Sequence, residues 1–367
     1  MKLFSLLATV GAFVASVAVP QVHAVSEETK TLEQLHAEAL MEGGNLVIYA
    51  GGDLDNQQDG LRNAWKASYP DVNLTIVVDY SKYHDVRINN QLARDRLVPD
   101  IAMLQTLQNF PRWAKNGDLL QYKPAGFSQI YDGFKDTKGY WMAHTLIHFG
   151  MFYDEAQLGD LPAPKSPLDL ADPKYAGKIA SAYPNDDDAT LFVYTQWVKK
   201  YGWEWVEKLA AQQVEFNRGT NTPGEAVRGK RKVVGLGASI SLAPSNTTTV
   251  KAVYGNGVPF LGWGQRLAIF KKAKHPAAAK LFMNWIISKQ TQSTSMAGRS
   301  VRKDVAATLG GDKFTWTIPE ANVAAFPAFM EDRAEVERMR FTFSLYFGEV
   351  QGKPSPGWFG FMPGQTA

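Results

Sequence analysis

Short apolar runs rich in β-branched residues alternate along this chain with helical segments, and that order constrains the fold more than any other feature. Leu46-Val47-Ile48-Tyr49-Ala50 is a strand, set between Gly43-Gly44 and Gly51-Gly52-Asp53. Val72 to Val78 is a second, and Asp100 to Leu104, after Pro99, is a third. Helices are expected from Thr31 to Glu42, from Asp55 to Ser68 with Leu61, Ala64 and Trp65 on one face, and from Val86 to Arg94. Helices that intervene between strands cover the faces of a largely parallel sheet, so the chain opens as a doubly wound α/β unit.

The middle is punctuated. Phe149 to Tyr153 is an extended apolar piece, followed by Pro162, Pro164 and Pro167. We read Phe149 to Asp154 as a crossover into a second unit. That unit holds expected strands at Lys178 to Tyr183 and Lys232 to Ala238, and expected helices at Asp188 to Tyr201 and Trp203 to Gln212. Pro259 to Leu261 and Arg266 to Phe270 look like extended pieces that return to the first unit. Pro276 to Lys289 has Ala278, Leu281, Phe282, Trp285 and Ile286 at helical spacing, with Pro276 suited to a first turn. The stretch after Phe341, rich in glycine, proline and aromatics, is expected to be irregular. The expected division is a signal at 1–24, a first lobe at 25–150, a second at 151–257, a return to the first at 258–340, and a tail at 341–367.

Residues 1–24 fit an export signal: Lys2, an apolar stretch from Leu3 to Val19, and Val22-His23-Ala24 before the cut. About 343 residues remain, enough for two domains. The chain has no cysteine, which excludes disulfides, thiolate metal sites and a lipid-modified cysteine tether. An exported chain of this kind must be held by its core alone. Lys and Arg number 39 against 36 Asp and Glu, with no long run of one sign, so nucleic acid is not an expected partner. After the signal no segment approaches 18 uninterrupted apolar residues, so membrane insertion is not expected either.

Several spaced runs resemble one family. They are Leu46 to Tyr49, Pro99-Asp100-Ile101, Met151-Phe152-Tyr153-Asp154, Pro167 through Ile179 with Asp172-Pro173-Lys174-Tyr175-Ala176-Gly177-Lys178 at its centre, and Lys274-His275-Pro276 through Phe282. In order and type they resemble the extracellular solute-binding proteins of ABC transporters, in the ferric-iron-binding-like group of the type II periplasmic-binding fold. The resemblance spans residues 46 to about 300. It implies two doubly wound α/β lobes joined by a two-crossover hinge, with a small polar or cationic ligand, a metal ion or a small organic cation, trapped between them. It also implies an ABC permease as partner if the source is bacterial, a monomer, and a secreted or periplasmic location. No cofactor is expected.

Position on that fold selects the candidate ligand-binding residues. Gly51, Gly52 and Asp53, with Asp55 close behind, follow the first strand, where glycines admit a ligand to the backbone; Asp53 or Asp55 would equally cap a helix. Gln105 and Thr106 follow the third strand. Asn185, Asp186, Asp187 and Asp188 lie between a strand and a helix of the second unit, and three acids can hold a cation or an amine. Tyr153 sits at the crossover, where hinge packing accounts for it as well. Ser239, Trp263, Tyr80, Tyr83 and His84 lie past other strands. The adjacent tyrosine pair of the best-known ferric members is missing; Tyr254 stands alone before Gly255. No metal set is assigned. Asn73-Leu74-Thr75 and Asn246-Thr247-Thr248 are glycosylation sequons, in about the number chance provides.

A secreted hydrolase is the competing class, and a secreted interaction protein that kept the clamp without transport is a third. Neither Gly-x-Ser-x-Gly nor His-Glu-x-x-His occurs. His144 and His148 are four apart, but Trp141 to Tyr153 reads as extended, where that spacing does not converge.

Overall fold

The computed structural model describes residues 25–242, 247–305 and 315–352. The expected export signal, the sequon at Asn246 and the end of the tail lie outside the described residues. The first lobe contains helices α1 (Leu32–Met41), α2 (Asp59–Ser68), α3 (Ser81–Ala93) and α4 (Asn109–Asn116), and strands β1 (Asn45–Gly51), β2 (Asn73–Asp79) and β3 (Ile101–Leu104). β1 lies between β2 and β3, parallel to both. Because strand side chains alternate, Ile48, Ala50, Ile76, Val78, Ile101 and Met103 face one way. They pack against Leu61 and Trp65 of α2 and against α8 (Pro276–Ile286). Tyr49, Val77, Ala102 and Leu104 face the other way, onto Ile88 of α3 and Phe110 and Trp113 of α4. Both faces of the sheet are covered, as the alternation required.

Two long strands carry the chain between lobes. β4 (Met142–Asp154) is 13 residues and β9 (Leu261–Ile269) is 9. β4 pairs with β9 from Met142 to Phe149, then changes partner to β7 (Val234–Ser239) and β8 (Val250–Val253). β9 also pairs with β3. The crossover expected at Phe149 to Asp154 is thus the far half of β4. The two extended pieces expected at 259–261 and 266–270 are one strand. Gly262 and Gly264 interrupt its apolar pattern because a Cβ at Gly264 would lie 2.6 Å from Ala143 Cβ and 2.8 Å from Phe134, and one at Gly262 would meet Thr315.

In the second lobe, β7 pairs parallel with β5 (Ile179–Ala182) and β5 with β6 (Glu215–Asn217). α5 (Asp188–Tyr201) is buried almost all round, between the sheet and α6 (Trp203–Ala210); α7 (Thr222–Arg228) covers the opposite face. α9 (Lys289–Ser293) follows α8 in the first lobe.

The C-terminal region departs from the sequence expectation. α10 (Ala325–Glu331) and α11 (Arg333–Phe347) do not return to the first lobe; Phe326, Phe329, Met330, Val336, Met339 and Phe343 complete the second core. The irregular tail expected from Phe341 is helical through Phe347, with Asp332 capping its start by accepting from Glu335 N. Among the described residues no helix is long and apolar enough to cross a membrane.

The runs that carried the resemblance are staples of this fold. The fully buried Asp100 carboxylate accepts from Val47 N, from His275 N and from His275 Nδ1, each at 2.9 Å, which fixes β1, β3 and the entry to α8 together. Asp172 caps the turn before Tyr175, and Gly177 has φ +72.

Candidate functional site

The carboxyl ends of the strands in both lobes face a common cleft, where open α/β sheets present their ligand sites. A cavity of about 590 Å³ occupies it. From the first lobe it is lined by Gly51, Gly52, Asp53, Gln105, Thr106 and the start of α3 at Tyr80, Ser81 and Lys82. Asp186, Asp187, Asp188, Gly219, Thr220, Asn221 and Ser239 face them from the second. The floor is the hinge sheet, with His144, Thr145, Ile147 and Phe149 from β4 and Trp263 and Gln265 from β9; Ser295, Met296 and Arg299 close one side. Phe149 and Trp263 meet edge to face with centroids 5.0 Å apart.

Side chains bridge the lobes directly. Asp53 Oδ2 accepts from Thr220 N and Thr220 Oγ1 at 2.6 Å and from Asn221 N at 3.1 Å. Lys82 pairs with Asp186 and donates to its carbonyl at 2.9 Å. Gln105 Nε2 donates to Asp187 Oδ2 at 2.9 Å, and Arg218 Nη1 donates to Tyr83 Oη at 3.0 Å. Burial pushes the Asp53 carboxyl above the usual range, with the bonds from Thr220 and Asn221 pulling the other way. Asp53 is therefore a bridge between lobes; α2 begins later, at Asp59, with no side-chain cap.

The three acids are not a free cluster. Asp186 is held by Lys82, with Arg218 Nε at 3.6 Å; Asp187 caps α5 by accepting from Thr190 N at 2.8 Å; Asp188 pairs with Arg340 of α11. The acids expected to hold a cation each already have internal donors. Burial pushes Asp187 up to about 6. The folded protein therefore holds that proton more tightly than the unfolded chain does. Ionising Asp187 costs stability as pH rises from about 4 to about 6, by about 3 kcal/mol at most, and the cost is complete above that window. Asp187→Asn preserves a capping side chain that cannot ionise. Its stability relative to wild type, followed by urea midpoints, is expected to rise from pH 4 to 6 and then level; a flat difference contradicts this assignment.

Tyr153 and Asn185 lie outside the cavity. Tyr153 pairs with Val234 and Lys251 and packs on the second core, and Asn185 Nδ2 donates to Ser344 Oγ and Gly348 O, both at 3.0 Å. Neither side chain faces the cleft because one belongs to the hinge sheet and the other ties down the end of α11. His84 is buried against Val77 O. Tyr254 donates to Leu242 O, away from the cleft. Asn73 begins β2 and is exposed. Ser81, Lys82, His144, Thr145, Thr220, Asn221 and Arg299 were not singled out as ligand contacts, since only the tertiary fold brings them to one cavity.

The cavity suits an organic solute with polar groups at its rim and an apolar face on Ile147, Phe149 and Trp263. Among the described residues no group of three or more His, Asp or Glu side chains is arranged to hold a metal. One tyrosine, Tyr80, lines the cavity, and burial with Asp53 and Asp186 nearby raises its pKa, against phenolate formation.

Residues 97–250 match the family of bacterial extracellular solute-binding proteins. An uncharacterized protein of Haemophilus influenzae is 27% identical over 195 residues, 49% of this chain, which spans 55% of that relative. The Fe(3+)-binding periplasmic protein of Serratia marcescens is 24% identical over 276 residues, 70% of this chain and 77% of that protein. Iron-bound HitA from Pseudomonas aeruginosa superposes with TM-score 0.64 at 19% identity, covering 82% of this chain and 99% of HitA. AfuA from Actinobacillus pleuropneumoniae with fructose-6-phosphate bound also gives 0.64 at 19%, covering 83% and 99%. This chain is a relative of the bacterial extracellular solute-binding proteins, and it has their type II periplasmic-binding fold.

Proposed function

We propose that this protein is an extracytoplasmic solute-binding protein that traps a small polar organic solute by closing its two lobes, as for delivery to an ABC-type permease. The observation that carries this reading is the cavity of about 590 Å³ whose opposing walls are bridged by Asp53, Lys82, Gln105 and Arg218. A bare ion would leave most of that volume unused, while a solute of sugar-phosphate size fills it. Named relatives differ in cargo: the Serratia protein and HitA are named for iron, AfuA for a bound sugar phosphate. The donor set here favours the second kind. The run at 1–24 reads as an export signal, which supports work outside the cytosol. A hydrolase reading lacks support: among the described residues both His144 ring nitrogens are without a protein partner, so none of them orients that imidazole as a base.

Thermal-shift screening of the mature protein tests the reading, because a ligand that binds the folded state raises its stability by about 2.7 kcal/mol at a hundred times Kd. Sugars, sugar phosphates and carboxylates are screened against ferric ion, spermidine and thiamine. The expected outcome is a shift with an organic polyol or anion. Shifts with ferric ion or spermidine alone, or with nothing, would overturn the proposal.

A further inference from the structure

The strand β4 is irregular where it borders the cleft. Its register against β9 slips between Ala143 and Thr145: Ala143 faces Arg266, Thr145 faces Gln265, and His144 has no opposite residue. A bulge of this kind turns a side chain off its regular face. It brings His144 to the cavity beside Thr145, Ile147 and Phe149, where strand alternation alone would have sent it to the opposite face with Leu146. The bulge is buttressed, since the fully buried Gln292 donates to His144 O at 2.8 Å.

His144 is 5% exposed, and among the described residues neither ring nitrogen has a protein partner. Four residues on, His148 is equally buried but bonds Thr315 Oγ1 at 2.7 Å. A buried imidazole without partners costs stability, and such an orphan needs an explanation. Arg299 is beside it. Leu146 N donates to Arg299 O at 2.8 Å, which pins that residue to β4 just past the bulge. Its charge helps burial to lower the pKa of both histidines. Among the described residues Arg299 has no carboxylate partner, whereas Lys82, the cavity's other cation, is paired with Asp186, and the lining acids Asp53, Asp187 and Asp188 each have donors.

We infer that His144 and Arg299 form a seat for the oxyanion group, carboxylate or phosphate ester, of a small organic anion. The inference rests on the reading that the cleft takes an organic solute, and it names the class. The guanidinium fork matches two oxygens of such a group, and the neutral imidazole donates one N–H to it. The apolar hinge floor then meets the carbon part of the solute.

Calorimetry with citrate, ribose 5-phosphate and uncharged ribose tests this on wild type, Arg299→Gln and His144→Phe. Arg299 is exposed, so its variant folds whatever happens at His144. At least one anion is expected to bind wild type more tightly than ribose does, and each variant to lose about 10- to 100-fold of that affinity. Ribose binding as tight as that of both anions, or anion affinity unchanged in Arg299→Gln, overturns the seat and leaves the clamp standing. Loss with Arg299→Gln alone strikes His144 from the seat. If none of the three solutes binds and the wider organic panel also fails, the clamp reading falls and the seat with it.

Discussion

Replacing Asp53 with alanine is expected to weaken solute binding by about 30-fold or more, because hydrogen bonds to a charged group contribute roughly 1.5–3 kcal/mol and this carboxylate accepts three across the cleft. The donors, Thr220 N, Thr220 Oγ1 and Asn221 N, belong to the other lobe. They are hydrated when the lobes part, so their full strength is not recovered on closure, and the estimate is kept near 2 kcal/mol. Asp53 lies outside every hydrophobic cluster of the core, so the variant should unfold at nearly the same urea concentration. What changes is the balance between open and closed forms, and a solute that binds only the closed form inherits that change as lost affinity. Asp53→Asn retains an acceptor oxygen and should lose less. Calorimetry on both variants with the best solute from the screen checks the ordering; equal affinity in Asp53→Ala and wild type contradicts the bridge.

Phe343→Ala is expected to cost about 3–5 kcal/mol of stability, the usual range for removing a buried phenylalanine. Phe343 is fully buried and packs edge to face on Tyr194 at 5.7 Å and against Trp203 at 5.2 Å. Phe341, two residues earlier on α11, is 72% exposed, and Phe341→Ala should change stability by less than about 0.5 kcal/mol. Denaturant midpoints of the pair therefore report whether α11 is a helix seated on the second lobe. Similar effects from both variants would contradict that packing and favour the irregular tail first expected there.

The order of elements in the first lobe was legible because each strand is a short apolar run closed by glycine or proline. The expected helix at Asp188 to Tyr201 coincides with α5, whose buried faces are apolar almost all round. Legibility failed where the local pattern is set by a distant contact. Gly262 and Gly264 read as a break because their side-chain space is taken by Thr315, Ala143 and Phe134. α11 was missed because glycine, proline and aromatics after Phe341 read as irregular, whereas packing on α5 and α6 holds the chain helical through Phe347. Position alone brought Gly51, Gly52, Asp53, Gln105, Thr106, Asp186, Asp187, Asp188, Ser239 and Trp263 to one cavity. Position did not reveal that Asp186 and Asp188 are paired with cations, since Lys82 is 104 residues from Asp186 and Arg340 is 152 from Asp188. Nor did it mark His144, whose exposure to the cleft depends on a bulge in β4.

Small-angle scattering of the mature protein, with and without the solute that raises its melting temperature most, tests lobe closure directly. Closure about the hinge sheet should lower the radius of gyration on saturation, and Asp53→Ala should need more solute to reach the same value. An identical scattering curve with and without bound solute would contradict a clamp that traps its cargo by closing.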